Sequence, residues 1–178
     1  MLIAMAGLPG SGKSTIAGHI GARLRAAVVS VDPIESAILT AGIDVDQPTG
    51  LAAYLVAETI AESVLDSGQT IIVDAVNAVG AAREEWLRLA ARQDVEVRFV
   101  EAVCSDPELL RTRIVARHRN HPHLDEPNWH AVEQSLAEYA EWTGPSAAVA
   151  RITLDTSRPV EANVEAAVRF LTADAIRS

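Results

Sequence analysis

Apolar residues along the chain fall into two kinds of segment. Short runs rich in Val, Ile, Ala and Leu are typical of strands that are buried on both faces. Longer segments repeat apolar residues every three or four positions, as an amphipathic helix does. The runs predict five strands, over residues 2–6, 26–31, 70–74, 95–103 and 149–154. The periodic segments predict helices over residues 15–24, 33–41, 51–66, 81–92, 107–117, 129–142 and 160–173.

Strands that alternate with helices predict an α/β fold with a parallel sheet covered on both faces. Ligands of such folds bind at the carboxyl ends of the strands. The 178 residues show no linker, repeat or low-complexity tract, so we expect a single domain over residues 1–178. Residues 118–128 contain two prolines and many polar side chains, which predicts an irregular loop within that domain.

Composition narrows the possible partners. The net charge of −9 argues against a long nucleic-acid groove. The one cysteine, Cys104, lies in an apolar run and is expected to be a small buried side chain. No basic segment precedes the first apolar run, and no run approaches membrane-spanning length. We therefore expect a cytoplasmic protein without membrane contacts.

One segment between the first strand and the first helix carries a complete phosphate-binding motif. Residues 7–14, GLPGSGKS, match G-x-x-x-x-G-K-[ST] at every fixed position. The glycines let backbone N–H groups converge on one point, and the helix adds the positive end of its dipole. Lys13, the only lysine in the chain, can reach the β- and γ-phosphates of ATP, and the Ser14 hydroxyl can ligate Mg²⁺. The predicted nucleotide-binding residues here are Gly7, Leu8, Pro9, Gly10, Ser11, Gly12, Lys13, Ser14 and Thr15.

Two aspartates follow other strands on the same edge of the predicted sheet. Asp74 has the position of a Walker-B aspartate, which holds Mg²⁺ directly or through water; it could also simply cap a turn. Asn77 is close enough to reach the same site. Asp32 could accept the proton of a substrate hydroxyl while the γ-phosphoryl group moves. It is equally a good cap for a helix that begins at Pro33, and the two roles are compatible.

An arginine pair and a group of histidines lie further along the chain. Arg113 and Arg117 share one helix face and could neutralise a transferred phosphoryl group, or form a solvated face paired with local acids. The histidines do not have the spacing of a structural zinc site and are expected to be loop residues. They are His118, His121, His123 and His130.

Together these motifs resemble the small P-loop kinases around chloramphenicol phosphotransferase, the zeta-toxin-like kinases and the kinase domain of polynucleotide kinase. Residues 71–74 and 80–86 look like the matching part of chloramphenicol phosphotransferase, and 74–77 (DAVN) is similar to the D-x-T-N of the polynucleotide-kinase group. The resemblance implies a three-layer fold with strand order 2-3-1-4-5, a small lid that includes residues 118–128, and Mg-ATP as cofactor. It also implies that Asp32 is the base, that Arg113 and Arg117 lie in the lid region, and that a turn lies beside the adenine. That turn is Thr156, Ser157, Arg158 and Pro159.

We therefore expect a kinase that phosphorylates a hydroxyl of a small molecule, as a monomer or homodimer. Polynucleotide 5′-hydroxyl kinases and zeta-type kinases tend to carry an arginine soon after the base, whereas residues 33–40 contain none. A polynucleotide kinase and a nucleotide-dependent ATPase or switch without an acceptor are the alternatives. Acceptor contacts are expected within residues 42–54 and 118–130.

Overall fold

The computed structural model describes residues 1–116 and 139–173, and the elements named below are those of this part of the chain. Five parallel strands form one sheet in the order β2-β3-β1-β4-β5, which confirms the predicted order. β1 lies at the centre, and its side chains are fully buried. The strands are β1 (Leu2–Ala6), β2 (Ala27–Ser30), β3 (Ile71–Asp74), β4 (Val97–Val103) and β5 (Arg151–Asp155).

Helices connect the strands and cover both faces of the sheet. They are α1 (Lys13–Leu24), α2 (Val31–Thr40), α3 (Thr49–Asp66), α4 (Gly80–Arg92), α5 (Pro107–Ala116), α6 (Gly144–Ala147) and α7 (Val160–Thr172). The single turn α6 was not predicted, since four residues are too short to show a helical period. Residues 139–142, the end of the predicted helix 129–142, are not helical. The rest of that helix and the predicted loop 118–128 lie outside the described residues.

The core lies on the two faces of the sheet. On one face α3 presents Ala53, Ala57 and Ala61, each 0% exposed and one turn apart, beside Trp86 of α4. These small side chains let α3 lie close to the strands. On the other face α1 and α7 pack their apolar stripes against the sheet. Within the described residues, no helix is both long enough and apolar enough to cross a membrane.

The register of the parallel strands brings the candidate site residues to one edge of the sheet. Ser30 at the end of β2 pairs with Asp74 at the end of β3, and Val103 of β4 pairs with Asp155 of β5. The phosphate-binding loop leaves β1 between these two pairs of strands. All five strands therefore deliver the residues that follow them to the same side of the molecule.

Candidate active site

The loop between β1 and α1 has a shape that requires glycine. The Gly7 N–H donates to the Val76 carbonyl at 3.0 Å, and the Gly7 backbone has φ +141°. A Cβ at Gly7 would lie 2.3 Å from the Ala102 carbonyl oxygen, which is too close for any side chain. Gly12 has φ +84° and immediately precedes Lys13, the first residue of α1. The N–H groups of the first helical turn have no partner within the helix, so they are available to a phosphate.

A cavity of about 410 Å³ opens above this loop. The loop and the first turn of α1 form one wall, and the segment after β5 forms the other. Lys13 lines it and is 4% exposed. The volume falls within the usual range for small-molecule sites. The lining residues are Gly10, Gly12, Lys13, Ser14, Thr15, Ile16, Arg113, Thr156, Arg158, Val160 and Asn163.

Thr156 ties the two walls of this cavity together. Its Oγ1 lies 2.7 Å from the Ser11 carbonyl oxygen of the loop, to which it donates. It also accepts a hydrogen bond from Nη1 of Arg113 at 2.9 Å, while Nη2 of the same arginine donates to the Thr156 carbonyl at 2.7 Å. Arg113 is therefore held by α5 against the turn after β5. Arg113 lines the cavity, and its role at a nucleotide stays a prediction.

The turn after β5 is shaped by Asp155. Its carboxylate accepts hydrogen bonds from the Ser105 hydroxyl at 2.6 Å and from the backbone N–H groups of Ser105 and Ser157. These donors, with the Ser105 hydroxyl first, hold the pKa of Asp155 well below its usual range. Ser157 and Pro159, which the resemblance implied beside the adenine, do not line the cavity, whereas Arg158 does.

The remaining predicted residues of the loop face elsewhere. Gly7, Leu8 and Ser11 line a second cavity of about 230 Å³ rather than the first, and Pro9 lines neither. That cavity continues along the end of β4 to Cys104, which is partly exposed rather than buried as expected, and to Tyr139. The predicted catalytic Arg117 lies outside the described residues.

Asp74 has the geometry of a cation ligand. The side chain is 5% exposed, and its Oδ2 accepts a hydrogen bond from the Ser30 hydroxyl at 3.0 Å. Its Oδ1 is buried and finds no hydrogen-bond partner in the described part of the chain. A buried carboxylate oxygen without a partner is costly, and Mg²⁺ prefers hard oxygen ligands. No group of three potential metal ligands among His, Cys, Asp and Glu occurs in the described residues. Asp74 and Ser14 thus fit Mg²⁺ as a site that water and phosphate oxygens complete.

Asp32 does not lie where the sequence pattern placed it. It is the second residue of α2 rather than the end of β2 or the cap, and Ser30 has the N-cap position. An acid in the first turn is still favourable there, because it faces the positive end of the helix dipole.

Tyr54, which no sequence pattern indicated as a site residue, lies beside the backbone that follows β3. The hydroxyl oxygen of Tyr54 accepts a long hydrogen bond, 3.4 Å, from the Asn77 backbone N–H. Burial raises the pKa of Tyr54, and the charges of Asp32, Asp74 and Glu35 raise it further.

Asn77 supports the structure instead of reaching the metal site. Its side chain is fully buried, with Nδ2 donating to the Met5 carbonyl at 2.6 Å and Oδ1 accepting from the Trp86 indole at 2.9 Å. The neighbouring Arg83, also 0% exposed, donates to four backbone carbonyls. These belong to Asn77, Ala78, Ala140 and Glu141. An arginine within an amphipathic helix pattern normally predicts an exposed side chain, so nothing in the sequence pattern indicated this role.

Comparison with known proteins agrees with this fold. No curated protein matches the chain in sequence. A "putative kinase" of Chloroflexus aurantiacus has a similar structure, with TM-score 0.78 and 22% identity over 97% of this chain and 96% of the other. A gluconokinase of Sinorhizobium meliloti has TM-score 0.67 and 17% identity, with 98% and 93% covered. Kti12 of Chaetomium thermophilum, in complex with ADP-AlF3, has TM-score 0.70 and 15% identity, with 94% and 97% covered.

These identities are low, so the structural likeness shows the fold, and the family follows from the sequence itself. The model of the AAA_33 family, described as an AAA domain, matches residues 2–142, which are most of the chain. The chain therefore belongs to the AAA_33 family of AAA domains and has the fold of the P-loop kinases.

Proposed function

We propose that the protein is a kinase that transfers the γ-phosphoryl group of ATP to a hydroxyl of a small molecule. The observation that carries this proposal is the placement of Asp32 and Asp74 at the same sheet edge as the phosphate-binding loop. A nucleotide cavity alone would fit any nucleotide-binding protein. A carboxylate at this edge would give the site a means to activate an acceptor. The kinases among the structures of similar fold support this choice.

In the proposed reaction Asp32 accepts the proton of the acceptor hydroxyl. The acceptor oxygen then bonds to the γ-phosphorus, the bond from that phosphorus to the β–γ bridging oxygen breaks, and ADP leaves. Because the transition state is loose, Asp32 contributes mainly by holding the hydroxyl in line. Lys13 and the N–H groups of the first turn of α1 stabilise charge on the phosphate oxygens. Mg²⁺ held by Ser14 and Asp74 would supply further neutralisation of that charge.

The nucleotide is held from both sides of its cavity in this proposal. Thr156 and Arg158 form the wall that receives the base and ribose, and Arg113 lies beside them. Arg113 is then a binding residue more than a catalytic one, because two of its donors already contact Thr156. A second catalytic arginine remains a prediction for Arg117. Since ATP is the donor, we expect the protein to act in the cytoplasm.

The test separates transfer from nucleotide binding. The protein is incubated with Mg-ATP and a library of small metabolites, and products that gain one phosphate are detected by mass spectrometry. Asp32→Asn is expected to lower the transfer rate at least a hundredfold, as loss of a general base does, with little change in ATP affinity. Asp66→Asn, at the exposed end of α3 that precedes β3, is the matched control and should transfer at the native rate.

Three outcomes would contradict the proposal in whole or in part. Full transfer activity in Asp32→Asn would mean that Asp32 is not the base. Rapid ATP hydrolysis with no acceptor in the library would favour the ATPase or switch alternative. Labelling of short oligonucleotides in place of metabolites would favour a polynucleotide kinase.

A further inference from the structure

We propose that the second cavity beside the phosphate-binding loop binds a neutral, largely apolar small molecule with one hydrogen-bonding group, and that its occupancy strengthens ATP binding. The cavity has a volume of about 230 Å³ and lies between the loop, the end of β4, α5 and Tyr139. The proposed kinase reaction uses none of the side chains that line this cavity in the described part of the chain. The site is therefore separate from that of the acceptor.

The lining of the cavity determines the class of ligand. Most of it is apolar, and none of the described lining residues carries a charge. The apolar side chains are those of Leu8, Ala102, Val103 and Leu110. An apolar cavity of about 150 Å³ is large enough to hold benzene, so this one accommodates a ring with a small substituent. A charged ligand would lose its water here without meeting a countercharge from the described lining.

One buried hydroxyl indicates where the ligand would form its hydrogen bond. Ser11 lines the cavity and is 2% exposed, and its Oγ finds no hydrogen-bond partner among the described residues. This Oγ is 2.8 Å from the point where a Cβ of Gly7 would lie, and Gly7 lines the second cavity but not the nucleotide cavity. The hydroxyl therefore faces the second cavity. A buried hydroxyl without a partner is costly, and an oxygen or nitrogen of a ligand would remove that cost.

The other polar side chains of the lining already have partners. The Tyr139 hydroxyl donates to Oε1 of Glu101 at 2.8 Å. The Cys104 thiol donates to the Asp106 carbonyl at 3.3 Å. A ligand therefore needs one hydrogen-bonding group, directed at Ser11, and an apolar body for the rest of the cavity.

Ser11 and Arg113 connect this cavity to the nucleotide cavity. The Ser11 carbonyl accepts a hydrogen bond from Oγ1 of Thr156 at 2.7 Å, and Thr156 lines the nucleotide cavity. Nη1 of Arg113 donates to Thr156 and also contacts Sγ of Cys104 at 3.8 Å. A molecule bound between the loop and α5 would add contacts across the junction that Thr156 and Arg113 already bridge. Because it orders the loop in advance, ATP should bind more tightly.

The reactivity of Cys104 gives a local measurement of occupancy. It is the only cysteine of the chain, lines the cavity and is partly exposed. The intact protein is alkylated with iodoacetamide in the presence of benzyl alcohol, toluene or benzoate, and the rate is followed by mass spectrometry. Benzyl alcohol should slow alkylation saturably, by about tenfold at ten times its Kd, because only the empty cavity reacts. Toluene should protect less, since it lacks the hydroxyl, and benzoate should not protect.

Two variants test the assigned contacts. In Ser11→Ala, benzyl alcohol should protect no better than toluene. Val103→Phe enlarges a lining side chain that is 36% exposed at the end of β4, and it should abolish protection by benzyl alcohol. Val115→Phe is the matched control, because Val115 is 78% exposed on α5 and does not line the cavity. Protection in this variant should equal that in the native protein.

Calorimetry with the non-hydrolysable analogue AMPPNP and Mg²⁺ measures the coupling. Saturating benzyl alcohol should lower the Kd of AMPPNP about fivefold or more, and AMPPNP should lower the Kd of benzyl alcohol by the same factor. Val103→Phe should lose this effect, and Val115→Phe should keep it.

Each contrary result overturns a stated part of the inference. Absence of protection by any probe, or equal protection by all three, overturns the binding site. Equal protection by benzyl alcohol and toluene in the native protein overturns the role of Ser11. Protection without a change in AMPPNP affinity overturns the coupling, and phosphate gain on benzyl alcohol would make this cavity the acceptor site instead. The alkylation and calorimetric measurements involve no phosphoryl transfer, so failure of the kinase proposal would leave them unchanged.

Discussion

Replacing Arg83 by methionine should destabilise the fold more than any other single arginine substitution in the described part of the chain. The guanidinium is fully buried and donates four hydrogen bonds, at 2.8 to 3.1 Å, to the carbonyls after β3 and before α6. It also stacks on Trp142, with 4.0 Å from Cζ to the ring centre. Methionine fills much of the volume but donates nothing, so all four carbonyls lose a donor inside the protein.

The cost follows from these contacts. A hydrogen bond to a charged donor contributes roughly 1.5–3 kcal/mol, so four of them represent about 6–12 kcal/mol before any offset. Burial lowers the pKa of Arg83, which shows that its charge is held at a desolvation cost, and removing the charge recovers that cost. Backbone relaxation toward water recovers more. The net loss should be about 3–5 kcal/mol, the usual result of breaking a buried charged contact.

Thermal unfolding measures this loss. In a domain of this size 1 kcal/mol shifts Tm by about 2–4 °C, so Arg83→Met should lower Tm by roughly 6–20 °C. Arg83→Lys keeps the charge without the planar fork and should recover less than half of the loss. Arg88→Met, on the exposed face of the same helix, is the control and should leave Tm unchanged. A Tm for Arg83→Met within 2 °C of the native value would refute the reasoning that these carbonyls depend on Arg83.

Three further predictions concern the site and its supports. Thr156→Val removes the side-chain hydroxyl that accepts a hydrogen bond from Arg113, and it should weaken ATP binding about tenfold by calorimetry. Thr156→Ser keeps the hydroxyl and should bind ATP as the native protein does. Burial alone would raise the pKa of Glu101, but hydrogen bonds from Trp142, Thr153 and Tyr139 outweigh burial and lower this pKa. Glu101 thus stabilises the fold above its ordinary pKa of 4.5, and the Tm deficit of Glu101→Gln should shrink as pH falls below 4.5 and vanish once the carboxyl is protonated in the folded protein. Gly7→Ala should abolish ATP binding or folding, because its Cβ would meet a carbonyl of β4, and Gly18→Ala, with open space around it, should do neither.

The features that were predictable from sequence are those encoded within a few consecutive residues. The buried strands are visible in the sequence as apolar runs. The phosphate-binding loop has its glycines, lysine and serine within one stretch of eight residues. The start of α2 shows the limit of such patterns. Val31 extends the apolar run, so the pattern predicts it as the last residue of the strand. In the structure it is buried, 5% exposed, but it is the first residue of the helix. Burial alone does not distinguish the last residue of a strand from the first of a helix.

The features that were missed depend on contacts between distant parts of the chain. Arg83 contacts the Ala140 and Glu141 carbonyls, 57 and 58 residues away in sequence. Tyr54 reaches the backbone N–H of Asn77 only because α3 packs beside the segment that follows β3. In a helical pattern both residues are indistinguishable from ordinary surface or core positions. Only the packed fold shows that Arg83 and Tyr54 both contact the backbone of Asn77 near the site.

The sheet order also explains why the two halves of the site can be tested separately. The residues of the nucleotide wall follow β4 and β5, on one side of the central β1, and the proposed acceptor residues follow β2 and β3, on the other. The loop after β1 lies between them, so only the phosphates are shared. A change at Asp32 should therefore alter acceptor use without altering ATP affinity, and a change at Thr156 should do the reverse. If both variants changed both affinities equally, the assignment of the two sides would be wrong, and the acceptor would have to bind on the β4 side of the loop.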